Sequence, residues 1–321
     1  MGLSYGDAGL NAYPLYMTLM KFAKLIHNPT AGEAEDVTEH LVEAIEDAGY
    51  TCSYSSTKED GWEKIDTKQT DFLVVAGGDG TIRKTVLAFL DKRLPIGVIP
   101  MGTANNIAKT LAVTGEPKEI MATWSDRHLK SFDIGRIYNL SDEKFFLEGI
   151  GFGLFPRLMK EMDKQKRKND NYDKSIKTVL EIFHDIVLNY KARACTIQID
   201  DGEYSGNYLM AEVMNTRSIG PNLNLVPFAD PGDGEFEVVL ITESQREQFA
   251  NYILSKILGK EEPAFFNILK AKKLRIAWEG VHLHVDDAYI KLNEATEIKV
   301  ELLAGAVQFL VGPPVAETPA A

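Results

Sequence analysis

A five-residue apolar run, Phe72-Leu73-Val74-Val75-Ala76, stops at Gly77-Gly78-Asp79-Gly80-Thr81, and a helix-like stretch from Ile82 to Leu90 follows at once. The order reads as buried strand, glycine turn, helix. Repeated along a chain, that order builds a mostly parallel sheet covered by helices. The repetition is present: the patterning predicts strands at 22–27, 51–55, 72–76 and 96–99, and helices at 34–48, 81–90 and 103–111. In such sheets ligands bind beyond the carboxyl ends of the strands. Both glycine-bearing turns, at 77–81 and 102–106, fall on that edge.

The texture changes after Asp133. Longer strands lead to Gly151, and Tyr172–Tyr190 carries a helical stripe of Ile176, Val179, Leu180, Phe183 and Val187. Strands are then predicted at 192–200, 204–214, 235–241, 274–278, 281–285, 297–302 and 306–311, the first two joined by a hairpin at Asp200-Asp201-Gly202-Glu203. A length of 321 residues suits two domains. The expectation is an α/β N-terminal domain over 20–134, with a mostly parallel sheet, and a β-rich antiparallel sandwich with inserted helices over 135–311. Residues 1–19 read as a flexible leader and 312–321 as a disordered tail.

Net charge is −12, which argues against a nucleic-acid partner. No apolar run reaches the roughly 20 residues of a membrane span. The first 19 residues hold Asp7 but no Lys or Arg, unlike a signal peptide, and Gly6 stands where a myristoylation site wants Ser or Thr. Two cysteines, Cys52 and Cys195, are too few for a disulfide framework, so a reducing, cytoplasmic setting is expected. Cys195 would share a strand face with Ile197 and Ile199, as a core residue rather than a reactive thiol.

Three polar turns remain: Asn28-Pro29-Thr30-Ala31-Gly32, Gly77–Thr81, and Gly102-Thr103-Ala104-Asn105-Asn106. Each turn alone is explained by tight corners and helix caps. Together at one sheet edge they suggest a phosphate site, because glycine lets backbone N–H groups approach a ligand and helix N-termini favour anions. No G-x-x-x-x-G-K-[ST] motif occurs, so the site is not a P-loop.

These turns, with Asp133-Ile134-Gly135, Gly151-Phe152 and the run from Asn215 through Gly220, Pro227 and Ala229 to Asp233-Gly234 and Val238-Val239, resemble the diacylglycerol kinase catalytic-domain superfamily. The resemblance covers most of 22–311. It implies a NAD kinase and phosphofructokinase-like first domain, ATP in the cleft between the domains, and a last strand or tail that returns to the first domain. The implied chemistry moves the γ-phosphoryl group of Mg²⁺-ATP to a lipid hydroxyl, which demands positioning and charge neutralisation. Carried over, Gly77, Gly78, Gly80 and Gly102 offer backbone donors, with Thr81, Thr103, Asn105, Asn28 and Thr30 beside the nucleotide. Asp79 would hold Mg²⁺ or act as a base. A second, structural cation would lie at Asp230 and Asp233, against the plain alternative of a turn.

Two departures stand out. After the glycine turn the family often carries Asn-Glu; this chain has Arg83-Lys84. The family's later Asp-Gly-Glu, whose Glu is the proposed base, aligns with Asp286-Asp287-Ala288. Alanine accepts no proton, so Asp287 or Asp286 would have to replace it, or catalysis would be impaired. The alternating His282, His284 and Asp286 resemble a metal set but read better as the polar face of a half-buried strand. The basic run Lys160, Lys164, Lys166, Arg167, Lys168 reads as a solvated helix end, with anionic-lipid docking as the rival. The expectation is an ATP-dependent lipid kinase in peripheral contact with the membrane's inner face, with a homodimer left open. The alternatives are a NAD kinase-like enzyme and a nucleotide-binding regulator without catalysis.

Overall fold

The protein is seen in a computed structural model that describes residues 21–30, 37–141, 143–168, 175–200, 202–260 and 266–313. The leader at 1–19, Gly32, Asp201 and most of the tail lie outside the described residues.

The first half alternates β1 (Phe22–His27), α1 (Val37–Asp47), β2 (Thr51–Ser56), β3 (Phe72–Gly77), α2 (Asp79–Phe89), β4 (Ile96–Pro100), α3 (Asn106–Thr110) and α4 (Pro117–Ala122). Strands β2, β1, β3 and β4 lie side by side and parallel. Every residue of β3 is buried, as expected of a strand covered on both faces. The chain goes from β1 outward to β2 and then crosses back to β3 on the other side of β1. The switch point therefore lies between the ends of β1 and β3, where parallel sheets open a crevice. Trp124 packs on this sheet over Gly97, where an added Cβ would sit 2.7 Å from its ring.

The second half contains β5 (His128–Tyr138), β6 (Phe145–Phe146), β7 (Gly149–Gly153), α5 (Leu154–Lys168), α6 (Ile176–Asn189), β8 (Arg193–Ile199), β9 (Gly202–Met214), β10 (Ser218–Ile219), β11 (Leu223–Asn224), β12 (Phe236–Thr242), α7 (Arg246–Ile257), β13 (Ile268–Ala271), β14 (Lys273–Trp278), β15 (His282–Val285), β16 (Ala288–Lys291) and β17 (Ile298–Val311). Its strand pairs are antiparallel, apart from the end of β17, which pairs parallel with β4. The fold is thus an α/β domain with parallel strands joined to an antiparallel sandwich-like domain. One core fills the first domain, a second lies between the sandwich sheets, and a third sits under α5, α6 and α7. Leu180, Phe183 and Val187 bury one stripe of α6, whose Ser175 cap accepts from Thr178 N at 3.3 Å.

Elements such as α4, α7 and β16 lie where no segment was predicted, and three others differ from the sequence expectation. The two predicted strands 297–302 and 306–311 are one strand, β17, paired with β5 on both sides of a bulge. Gly305 sits in that bulge at φ +55°, and its N–H donates to Asp133 Oδ1 at 2.6 Å. Beyond the bulge Phe309 and Leu310 pair with Ile96 and Gly97 of β4. Helix α3 starts later than predicted because Asn105, at φ +51°, clips its side-chain amide back onto Gly102. Helix α5 is longer than a helix end: Leu154, Phe155 and Leu158 anchor one face, while Arg157 and Lys164 pair with Glu161 at 3.3 and 3.2 Å. Among the described residues no helix is long and apolar enough to cross a membrane. Cys195 is buried with Ile197 and Ile199, and burial pushes its thiol up to about 12.

Candidate active site

The three turns begin side by side because their strands are adjacent. Asn28 N donates to Ala76 O at 3.1 Å and Met101 N to Gly77 O at 2.9 Å. Asn28 Oδ1 then accepts from Thr30 N and Thr30 Oγ1, at 3.2 and 2.8 Å, closing its own turn. Thr103 is exposed, and Thr81 is buried under Gly77. The glycines answer to close approach. A Cβ on Gly102 would lie 2.5 Å from Gly78 Cα, and one on Gly78 would lie 3.0 Å from Gly102 Cα. Backbone thus touches backbone where the second and third turns meet.

Asp79 opens α2, and its carboxylate spans to the next helix. Oδ2 accepts from Asn106 N and Oδ1 from Ile107 N, both at 3.0 Å, so it caps α3. Burial raises its pKa, opposed by those N–H groups and by Lys109. Asn106 is gripped a second time: its Nδ2 donates to Glu148 Oε2 at 3.0 Å. Burial first, and then the charges of Asp79, Asp286 and Asp287, hold the Glu148 carboxyl well above the usual range.

The hairpin of β15 and β16 closes the other side. Val285 faces Ala288 in register, so Asp286 and Asp287 form the two-residue turn, with Asp286 at φ +50°. Asp286 Oδ1 accepts from Glu148 N at 2.8 Å and from Leu147 N and Gly149 N at 3.1 Å. Its Oδ2 pairs with Arg83 Nε at 2.7 Å, while Arg83 also bonds Glu143. Asp286 is therefore an anchor with no free valence, which removes it as a replacement base. Asp287 is exposed at the tip, and a Cβ on Gly80 would come within 3.0 Å of its Oδ2. The unusual Arg83 is the cation that clasps this hairpin to α2.

Beneath the hairpin His284 Nε2 meets Glu212 Oε1 at 2.8 Å, and Nδ1 lies 2.9 Å from Asp286 O. Both side chains are buried, so β15 has no polar solvent face at this point, contrary to the sequence expectation. Burial lowers the His284 pKa, but Glu212 more than offsets it, and the net direction is up. Gly151 lacks a side chain where the Glu212 carboxylate stands, which accounts for one glycine of the 149–153 run.

Asp230 and Asp233 lie apart from this site. Lys130 Nζ is 2.6 Å from Asp230 Oδ2, and Lys270 Nζ is 2.9 Å from Asp233 Oδ2. Among the described residues no three His, Cys, Asp or Glu side chains are grouped to hold a metal alone. The group that stands out beside them is Glu237, 5% exposed in β12, with Oε2 unpartnered among the described residues. Burial, then Asp233, raise its pKa from 4.5 to about 7. The folded state thus keeps a proton that the unfolded chain releases from pH 4.5 upward. Stability falls as pH rises through that window to about 7 and levels above it, by roughly 3 kcal/mol. Glu237→Gln should abolish that slope, read as the difference between wild-type and variant urea midpoints at pH 5 and pH 8.

The stretches that sequence reasoning grouped, 28–30, 77–81 and 102–105, lie at the ends of the adjacent strands β1, β3 and β4, and Asp287 comes to Gly80 from the β15–β16 turn. Sequence reasoning missed Glu148 and Glu212, and it noted Arg83 without its partner Asp286. The available signal was an acid inside an apolar run, as in Phe145-Phe146-Leu147-Glu148-Gly149-Ile150.

Two family models match in tandem: the diacylglycerol kinase catalytic domain over residues 23–137, and the YegS C-terminal NAD kinase beta sandwich-like domain over 171–311. The chain belongs to the diacylglycerol kinase catalytic-domain superfamily and is a kinase. It is 25% identical over 298 residues to a diacylglycerol kinase of Bacillus subtilis (strain 168), covering 88% of this chain and 86% of that one. A diacylglycerol kinase of Staphylococcus aureus (strain MRSA252) is 25% identical over 291 residues, 84% of this chain and 87% of its own. A solved diacylglycerol kinase from Bacillus anthracis str. Sterne shares the fold, with a TM-score of 0.70 at 22% identity, covering 92% of this chain and 98% of the other.

Proposed function

We propose that the protein is an ATP-dependent lipid kinase that transfers the γ-phosphoryl group to a hydroxyl of a diacylglycerol-like or sphingoid lipid, working as a peripheral protein at the cytoplasmic membrane face. The observation that carries this reading is the rim itself. Two glycine turns meet backbone to backbone beyond the ends of β3 and β4, and three carboxylates, Asp79, Glu148 and Asp287, gather around them. The first-turn N–H groups of α2 suit phosphate oxygens. Lys109 is the cation that acts on Asp79, so the cluster carries excess negative charge. That charge fits Mg²⁺ brought with the nucleotide, which Asp79 would face and which would neutralise charge on the transferring group. The chain's own groups then orient the phosphates and exclude wrong geometry, as phosphoryl transfer requires.

Gamma-labelled ATP offered with a lipid panel, NAD and buffer alone tests the reading. Label in a lipid supports it. Label in NAD selects the soluble acceptor instead. Nucleotide binding with no label anywhere selects the regulatory reading, which Ala288 favours. Asp79→Asn should lower transfer by about 100-fold or more. It should also cost about 1 kcal/mol in a urea melt, because an amide supplies α3 with one acceptor where the carboxylate supplies two. Full transfer by this variant would remove Asp79 from the site.

A further inference from the structure

We propose that Glu148 is the carboxylate that takes the proton from the acceptor hydroxyl, in place of the acid missing at Ala288. The inference rests on the kinase reading above and assigns the base within that site. Two of the neighbouring acids are committed elsewhere, and the third sits at the phosphate turn. Asp79 spends both oxygens on the N–H groups of α3. Asp286 spends both on Arg83 and on three backbone amides. Asp287 Oδ2 lies over Gly80, at the first turn of α2 where phosphate is to lodge. Glu148 commits only Oε2, to Asn106, and among the described residues nothing bonds to its Oε1.

Glu148 is also held in place. Its N–H donates to Asp286 Oδ1 at 2.8 Å, and its C=O accepts from Asn215 N at 2.8 Å. Asp286 stands two residues before Ala288, so the segment bearing Glu148 is strapped to the hairpin that lost its acid. Asn106 links Glu148 to Asp79, donating its side-chain Nδ2 to the first and its backbone N–H to the second. The residue is half-buried, and Oε1 is the acceptor oxygen that such a step needs. In the step, the hydroxyl oxygen forms a bond to the γ-phosphorus. The bond from that phosphorus to the β–γ bridging oxygen breaks, and its electron pair leaves on ADP. The hydroxyl proton passes to Glu148, which returns it to water after product leaves.

The test uses the full chain, Mg²⁺, γ-labelled ATP and a short-chain diacylglycerol in mixed micelles. Glu148→Gln keeps the acceptor for Asn106, so ATP affinity, read by displacement of a fluorescent nucleotide, should stay within about twofold while kcat falls by about 10²–10⁴-fold. Glu148→Asp retains the charge but withdraws it by one methylene, and should lower kcat by about tenfold or more at unchanged ATP affinity. Ala288→Glu added to Glu148→Gln should recover about tenfold or more, which a merely structural Glu148 would not allow. A kcat within about threefold of wild type in either single variant overturns the assignment and leaves the kinase reading standing. Absence of label in every lipid with wild-type protein defeats both.

Discussion

Asp286→Ala is expected to destabilise the protein by about 3–5 kcal/mol and to abolish transfer, because it breaks a buried ion pair from one side. The side chains of Asp286 and Arg83 are only 1% and 11% exposed. Without the carboxylate, the amides of Leu147, Glu148 and Gly149 lose their acceptor, each at a cost of about 1–3 kcal/mol if left dry. Glu143 keeps part of the Arg83 charge compensated, so the penalties do not simply add. Asp286→Asn should fall between, since one acceptor oxygen survives. Urea unfolding of both variants reads the effect, and a loss below about 1 kcal/mol for alanine would show that the hairpin is held by something else.

The second large effect is expected at the meeting of the two turns. Gly102→Ala places a methyl 2.5 Å from Gly78 Cα and 2.8 Å from Asn105 Oδ1. The first neighbour is backbone and cannot rotate away, so the turns must separate. Overpacking of this kind costs about 1–3 kcal/mol. A displacement of about 1 Å at the phosphate rim should lower transfer by about 100-fold. Gly49→Ala is the control, because Gly49 has φ +92° and nothing within 4 Å of an added Cβ. There the cost is local strain of about 1 kcal/mol, with transfer unchanged. Equal transfer by Gly102→Ala and wild type would show that the turns do not set the geometry of the reaction.

The first domain was legible because its determinants are local. A buried apolar run such as β3, ending in Gly77, announces strand, turn and helix without help from distant chain. The rim could be read for the same reason. What escaped was made by distance along the chain. Arg83 finds Asp286 some 203 positions later, and no periodicity foretells it. Asn105 looked like a ligand donor because its type and place allow that, yet both ends of its amide are taken by Gly102. His284 looked like strand polarity because alternation cannot report a buried partner on another strand. The two segments predicted for 297–311 were split at a glycine that the sheet absorbs as a bulge. For Arg83, His284 and the 297–311 strand the competing fact was tertiary, whereas for Asn105 it was a contact three residues away.

Strand β17 carries a consequence for how the molecule is made. Its closing residues Phe309 and Leu310 complete the inner face against β4, and Val307, Phe309 and Leu310 belong to the first domain's core. Domains generally fold in order as they leave the ribosome. Here the amino-terminal unit cannot seal its interior until Val307, Phe309 and Leu310 have been synthesised. Nascent chains halted before residue 307 would leave the edge of β4 bare and open to pairing with a neighbour, so residues 307–310 decide whether the earlier-made half is protected.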